Sequence, residues 1–442
     1  MRFLQPVMAG IVAPVVGFAS SFAVVLAGLR AVGADERQAA SGLLILCVTM
    51  GIVAIGLGLR YRMPISTAWS TPGAALLATS GAGGVGYREA LGAFAVTGCL
   101  IVLAGLSKGL GRMIARIPVP LASAMLAGVL LPLCLAPVHA VAELPRAAVP
   151  IVLTWLVLGR FAVTKRWAVP AALAVSVVAV LLLREPGQAS SGLLPVLTWE
   201  VPALSAQALV GVALPLFVVT MASQNLPGMG VLAANGYRPD LRPILVSTGT
   251  ATAVGAPFGG HAVNLAAITA QLAAGPDAHP DPDRRWIASV TSGVVYLFLG
   301  LASGVAVSLI ATSPPLLIET VAGLALLASL ASALHASVLS PTSRDAAVIT
   351  FAVTASGITL LGIGAPFWGL LSGLTYTLLT RPAKTPPTPP PPATPDAPTE
   401  LSPKPEHPLP RALRATRRST SVTRPGRHSG IVGRRGFGRG GF

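Results

Sequence analysis

Three short stretches gather more hydroxyl, amide and imidazole groups than the apolar chain around them accounts for. The first is A-W-S-T-P-G, residues 68–73, preceded by Ser66 and Thr67. Pro72 and Gly73 stand where an extended approach turns into a helix, because the missing N–H of proline costs nothing in a first turn. The next backbone N–H groups then face the interruption, with the positive end of the helix dipole behind them, an arrangement that receives an anion. The hydroxyls of Ser70 and Thr71 are placed to cap that helix or to donate to a carboxylate. A kinked span whose hydroxyls bond their own backbone is the alternative.

The second stretch holds Gly259, Gly260, His261 and Asn264. Glycines admit a close backbone approach, and His261 and Asn264, three apart, share a face if helical. His261 either takes a proton or holds a hydrogen bond between helices; the sequence leaves both open. The third stretch is Ser223, Gln224, Asn225, followed by Leu226, Pro227 and Gly228. Three polar side chains ending an apolar run need partners in a protein interior or a cavity. The rings of Trp69 and Phe258 offer an apolar wall for a ligand, or ordinary packing.

The elements that position these groups follow from composition. Of 442 residues, 53% are hydrophobic and 10% charged, against about 25% charged in a soluble domain. The mean hydropathy is +0.73. So few charges cannot cover a soluble fold of this size, which excludes an ordinary soluble enzyme and a disordered or fibrous chain and predicts a multi-pass membrane protein. Cys47, Cys99 and Cys134 lie in separate apolar runs and read as small buried hydrophobes, with no metal-ligand spacing. Among the hydrolase, phosphate-loop, metalloprotease and haem motifs none occurs, and no metal or cofactor is expected.

A span needs about 20 apolar residues. The hydropathy pattern predicts about 14 of them, with 12 as the alternative count: 7–29, 41–59, 64–79, 90–106, 117–136, 147–163 and 167–183, then 206–225, 244–256, 257–273, 286–311, 315–333, 345–356 and 360–380. With the N-terminus inside, 13 Lys and Arg fall in inner connections and five in outer ones, which places both ends in the cytoplasm. The spans at 64–79 and 257–273 are short and polar, each opens on a proline, and they begin 193 residues apart. Pro14 with Ser20 and Ser21 parallels Pro215 with Ser223 and Gln224, about 200 residues on. Interrupted segments at matching places in two halves point to an inverted-repeat transporter, here with halves at 1–200 and 201–380. Residues 381–442 carry 12 of the 31 Lys and Arg residues against 3 of the 15 acidic ones, in a Pro-rich run and then an Arg/Gly-rich run. Such a segment is expected to be a disordered cytoplasmic tail, with no nucleic acid as its partner.

In their order and spacing, A-W-S-T-P-G-A-A-L-L, M-A-S-Q-N-L-P-G and P-F-G-G-H-A-V-N-L-A-A-I-T-A resemble the benzoate:proton symporter family, BenE-type, over residues 1–381. The resemblance implies membership of the amino acid-polyamine-organocation superfamily and a fold similar to the uracil carriers: all-α, two inverted seven-helix repeats, a core domain and a gate domain. It implies a bacterial inner-membrane symporter that imports benzoate or a similar aromatic carboxylate with a proton, not an enzyme. Its expected partners are that substrate, protons and the lipid bilayer, with a homodimer as the candidate assembly. Another small organic anion or a nucleobase-like substrate is the alternative. Where nucleobase carriers carry acidic residues on the eighth and tenth spans, this chain offers Gln224, Asn225 and His261. That suits an anionic substrate and leaves His261 as the expected proton carrier. The expected substrate site is therefore Ser66, Thr67, Trp69, Ser70, Thr71, Gly73, Ser223, Gln224, Asn225, Phe258, Gly259, Gly260, His261 and Asn264.

Overall fold

The computed structural model describes residues 4–80, 84–107, 118–161, 164–183, 194–266, 269–311, 314–361 and 363–380. The tail expected at 381–442 lies outside them. The described chain is mostly helical. In the first half run α1 (Leu4–Ala31), α2 (Glu36–Tyr61), β1 (Thr67–Trp69), α3 (Thr71–Ser80), α4 (Tyr87–Leu106), α5 (Val119–Glu143), α6 (Pro145–Arg160) and α7 (Ala168–Leu183). The second half holds α8 (Ala206–Ala234), α9 (Leu241–Gly255), β2 (Val263–Leu265), α10 (Ala270–Ala274), α11 (Trp286–Leu301) and α12 (Ser303–Ala311). It ends with α13 (Pro315–Val338), α14 (Arg344–Ala355), β3 (Thr359–Leu360), β4 (Ile363–Gly364) and α15 (Ala365–Leu379).

Six described helices, α1, α2, α4, α5, α8 and α13, are long and apolar enough to cross a bilayer. Many of their large side chains point outward, Met8, Ile52, Leu103 and Leu135 among them, which in a membrane face lipid rather than water. Helices α6, α7 and α15 are shorter than the spans expected at 147–163, 167–183 and 360–380. The span expected at 286–311 divides into α11 and α12 at Ala302, and the two interrupted spans are part strand, part helix.

One boundary is corrected. Helix α8 does not stop at Asn225 in a Pro-Gly turn but runs on to Ala234. It contains two π-helical turns, Leu209–Ala213 and Met221–Asn225, each followed two residues later by a proline, Pro215 and Pro227. The wider turn redirects the backbone bonds, so a residue without an N–H is accommodated and the helix continues.

Two helix crossings fix the half of the molecule that carries the strands. Helix α2 packs along α11 and α4 along α9. A Cβ on Gly51 would lie 2.6 Å from the Gly293 carbonyl oxygen, and one on Gly293 equally close to that of Gly51. Gly98 and Gly249 meet the same way, each 2.7 Å from the other's carbonyl oxygen. Backbone touches backbone at both crossings, as in helix pairs that associate in lipid through small residues. A second group packs α5 against α13 and α14, α14 against α15, and α6 against α7. Between α7 and α8 the chain runs extended over the first group: Ser41 Oγ accepts from the Thr198 N–H at 3.0 Å, and the Ala203 and Glu200 N–H groups donate to Arg88 O and Pro257 O.

A methyl group at Gly249 would strike the backbone of α4, so Gly249→Ala is expected to cost about 1–3 kcal/mol and lower the melting temperature in detergent. Gly56→Ala, with no atom within 4 Å of the new Cβ, is the matched control and should melt at or above wild type.

Candidate functional site

The chain leaves the helix at residues 66–70 because Pro64 and Pro72 bracket a run of hydroxyl, β-branched and aromatic residues that favours extended backbone. In hydrocarbon an extended segment must find partners for every N–H and C=O. Strand β1 finds them in β2: the two are antiparallel, with Thr67 opposite Leu265, Ala68 opposite Asn264 and Trp69 opposite Val263. Further bonds run from Ser70 N–H to Ala262 O and from Ala266 N–H to Ser66 O, both 2.9 Å. The outer edge of β2 is closed by side chains. Val263 N–H donates to Thr252 Oγ1 at 2.9 Å, and Leu265 N–H to Asn225 Oδ1 at 3.0 Å. Thr67 Oγ1 ties β1 to Met50 O of α2 at 2.8 Å. The two interrupted spans thus meet, strand against strand.

Beside this crossing lies a cavity of about 60 Å³. Its walls are Gly17, Ser20 and Ser21 of α1; Ala68, Trp69 and Thr71 at the β1–α3 junction; Gln224 in the second π turn of α8; and Ala266 and Thr269 between β2 and α10. Tyr296 of α11 closes one side, and Ala325, Leu326 and Ser329 of α13 form the wall facing the other helix group. Among the described residues the lining holds no charged side chain and no histidine. The indole Nε1 of Trp69 donates to Ser21 Oγ at 2.9 Å, and Phe18 packs against its ring, 5.6 Å away.

Of the residues expected to bind substrate, Trp69, Thr71 and Gln224 reach the cavity wall. Ser70 stands directly behind it. Its Oγ accepts from Gly73 N–H at 3.1 Å, capping α3, and from Thr220 Oγ1 at 2.9 Å. Ser66, Thr67, Asn225 and Asn264 belong to the strands and their braces, while Ser223 Oγ donates back to Val219 O within α8. Asn264 Nδ2 bonds the neighbouring Leu265 O, and its Oδ1 and Ser66 Oγ are buried without a partner among the described residues.

Phe258, Gly259, Gly260 and His261 are not on the wall. They form the turn that leads into β2: Gly259 takes φ 94°, open to glycine at no steric cost, and Gly260 N–H bonds Gly255 O. Phe258 meets Trp199 edge to face at 5.1 Å and so cannot serve as the second wall for a ring in this cavity. His261 is fully buried, its ring edge toward Phe94, with Nε2 3.1 Å from Ser70 O. A carbonyl only accepts, so Nε2 carries the proton there, and Nδ1 has no partner among the described residues. The two short helices that follow the strands are unequal. Helix α3 has ten residues, whereas α10 is a single short turn, so α3 supplies the dipole.

The cavity also contains residues that sequence reasoning did not select: Ser20, Ser21, Thr269, Tyr296 and Ser329. Ser20 and Ser21 had a signal in their pairing with Ser223 and Gln224 across the halves. Tyr296 had one in the polar face Ser289, Ser292, Tyr296 of an otherwise apolar helix. Ser329 had none, because a serine in a membrane helix ordinarily bonds its own backbone, as Ser332 of the same helix does.

Residues 3–379 match the family model described as BenE, benzoate membrane transport protein. The chain is 41% identical over 367 residues to the inner membrane protein YdcO of Escherichia coli (strain K12), covering 83% of this chain and 93% of that one. It is 30% identical over 387 residues to the benzoate membrane transport protein of Acinetobacter baylyi, covering 86% and 96%. Among solved structures it is similar to SLC26A9, with a TM-score of 0.58 at 15% identity over 86% of this chain and 66% of that chain. It is also similar to the transmembrane domain of the cyanobacterial bicarbonate transporter BicA, with a TM-score of 0.53 at 16% identity over 85% and 98%. At such identities the likeness is one of fold.

Asn225→Leu and Thr252→Val each strip the acceptor from a buried N–H of β2, which should cost about 1–3 kcal/mol apiece. Thermal melting of the purified protein in detergent reads the loss; wild-type melting in both would show that these side chains do not hold the strand edge.

Proposed function

The chain belongs to the BenE benzoate membrane transport family, and on that premise we propose that it imports benzoate, or a similar aromatic carboxylate, together with a proton. Members of the family are membrane transporters and not enzymes. The observation that carries the reading is the uncharged cavity beside the β1–β2 crossing, with hydroxyl and amide donors, the Trp69 ring and the first turn of α3 on its walls. A carboxylate in the lining would repel an organic anion, whereas neutral donors and the positive end of a helix attract one. The substrate carboxylate sits toward Thr71 and Gln224, and its ring lies against Trp69.

The relative in Escherichia coli is an inner membrane protein, which supports the same bilayer for this chain; the Lys and Arg asymmetry supports cytoplasmic termini. The paired crossings support inverted repeats of about seven spans each, at 1–200 and 201–380. Exchanging the halves turns α2 on α11 into α9 on α4, and β1–α3 into β2–α10. On this reading α1–α4 and α8–α12 form a core that holds the substrate, and α13 belongs to the gate it moves against. The mixed strand-and-helix crossing supports that arrangement, because non-helical backbone at membrane depth is tolerated where it lines a cavity.

An anion moving with one proton carries no net charge, so a pH gradient alone drives accumulation, by roughly tenfold per pH unit. His261 is the proposed proton carrier. It lies off the cavity wall, its Nε2 bonded to the carbonyl of Ser70, which stands between the wall residues Trp69 and Thr71 in the chain.

In proteoliposomes, labelled benzoate should accumulate when the outside is acid and leak away with a protonophore; no gradient-driven uptake by the wild type would overturn the symport reading. His261→Gln keeps an N–H for Ser70 O but cannot titrate. If His261 carries the proton, the variant loses accumulation against a gradient and retains benzoate exchange; wild-type accumulation would remove His261 from that role.

A further inference from the structure

Helix α11 presents one polar face, Ser289, Ser292 and Tyr296, at spacings of three and four. The two serines are committed to backbone. Ser289 Oγ donates to Ile65 O, just before β1, and Ser292 Oγ donates to Gly10 O of α1 at 3.0 Å. These bonds and the Gly51–Gly293 contact hold the helix against both neighbours, so the next residue on the face is delivered to a fixed place. Tyr296 is 5% exposed and lines the cavity, and its hydroxyl has no hydrogen-bond partner among the described residues. On another wall Gln224 is likewise 5% exposed and its amide without a partner among them.

Three of their neighbours on the lining, Ser20, Ser21 and Trp69, are spoken for, whereas Thr71, Thr269 and Ser329 have no side-chain bond among the described residues. Ser20 and Ser21 both donate to Gly17 O, at 3.0 and 2.8 Å, and the Trp69 indole N–H goes to Ser21. Gly17 itself leaves room: a Cβ there would lie 3.5 Å from the Tyr296 hydroxyl oxygen and 3.3 Å from Thr269 Cγ2. The phenol oxygen and the amide are not among the sealed, unpartnered atoms of the described residues but open to the cavity, and a polar group left unmet there costs about 1–3 kcal/mol. The contents of the cavity must therefore supply what the protein withholds from the phenol and the amide.

We infer that Tyr296 is a specificity-determining residue of the substrate site, its phenolic O–H donating, together with the Gln224 amide, to the carboxylate of a bound aromatic acid. The inference rests on the cavity being the benzoate site. Two neutral donors recognise an anion without the deep hold of an arginine, which suits a site that must release its ligand on the other side. They also discriminate. An uncharged amide of the same shape offers one acceptor oxygen in place of two and no charge, so its bonds from the phenol and the Gln224 amide are the weaker neutral kind.

The experiment compares wild type with Tyr296→Phe in the full chain, in proteoliposomes and in detergent. A hydrogen bond to a charged group is worth enough that the KM for benzoate should rise roughly tenfold or more. The maximal rate should stay within about twofold, and the melting temperature should not move, because the ring is kept. Benzoate titration followed by tryptophan fluorescence should show the same loss of affinity, and benzamide, a weak competitor in wild type, should compete nearly as well as benzoate in the variant. Gln224→Leu is the second variant and should raise KM in the same direction. Wild-type KM and affinity in Tyr296→Phe overturn the assignment while leaving the transport reading intact. Wild-type protein that neither binds nor carries benzoate overturns both.

Discussion

Two pieces of backbone that leave the helix inside a bilayer have no water to turn to, so each must bond the other or be paid for elsewhere. The pairing of Thr67–Trp69 with Val263–Leu265 meets that constraint, and much of the rest of the molecule is arranged around it. It sets where α3 begins, it fixes the Trp69 ring beside Ser21, and it brings the α1, α8 and α11 side chains to one cavity. The two-stranded sheet has open edges of its own. Asn225 and Thr252 close one of them, and Ser70 receives bonds from His261, Thr220 and Gly73 at the end of the other strand. Several of the polar residues in this apolar chain therefore serve the backbone rather than a ligand.

That division separates the polar groups into two kinds. Ser70, Asn225, Thr67 and Thr252 are occupied by strand and helix ends, whereas Gln224 and Tyr296 face the cavity with unspent hydrogen-bonding capacity. Asn225 and Gln224 are adjacent in sequence, yet one closes a strand edge and the other lines the cavity. Neighbouring residues on a helix point about 100° apart, and the π turn at Met221–Asn225 sets the phase that gives one of them to the strand and the other to the cavity.

In both helix groups a glycine brings backbone against backbone, Gly323 of α13 on Leu133 O of α5 in the second. Around the strands, helices meet backbone to backbone at Gly51–Gly293 and Gly98–Gly249, leaving no side chains to slide over one another. The cavity lies at the boundary of that group, where Ala325, Leu326 and Ser329 of α13 are its far wall. Those three residues belong to a helix packed chiefly on α5. The cavity therefore has walls from two helix groups, α1, α3, α8 and α11 on one side and α13 on the other.

Sequence alone determined the solvent of the chain and the location of its irregularities. Fifty-three per cent apolar residues and few charges dictate lipid, and a proline followed by hydroxyl-rich or glycine-rich residues in a short span dictates broken helices at 64–79 and 257–273, since both effects act through local composition. The family resemblance carried by the three polar stretches was legible for the same reason: its motifs are contiguous. Tertiary structure decided which of those polar residues face the cavity. His261 and Phe258 sit in the most distinctive stretch of the sequence yet turn to Ser70 and Trp199, while Tyr296 and Ser329 come to the cavity wall from helices that read as ordinary spans. A side chain's exposure to a cavity depends on the rotation and register of its helix against others far along the chain, and no local pattern encodes those quantities.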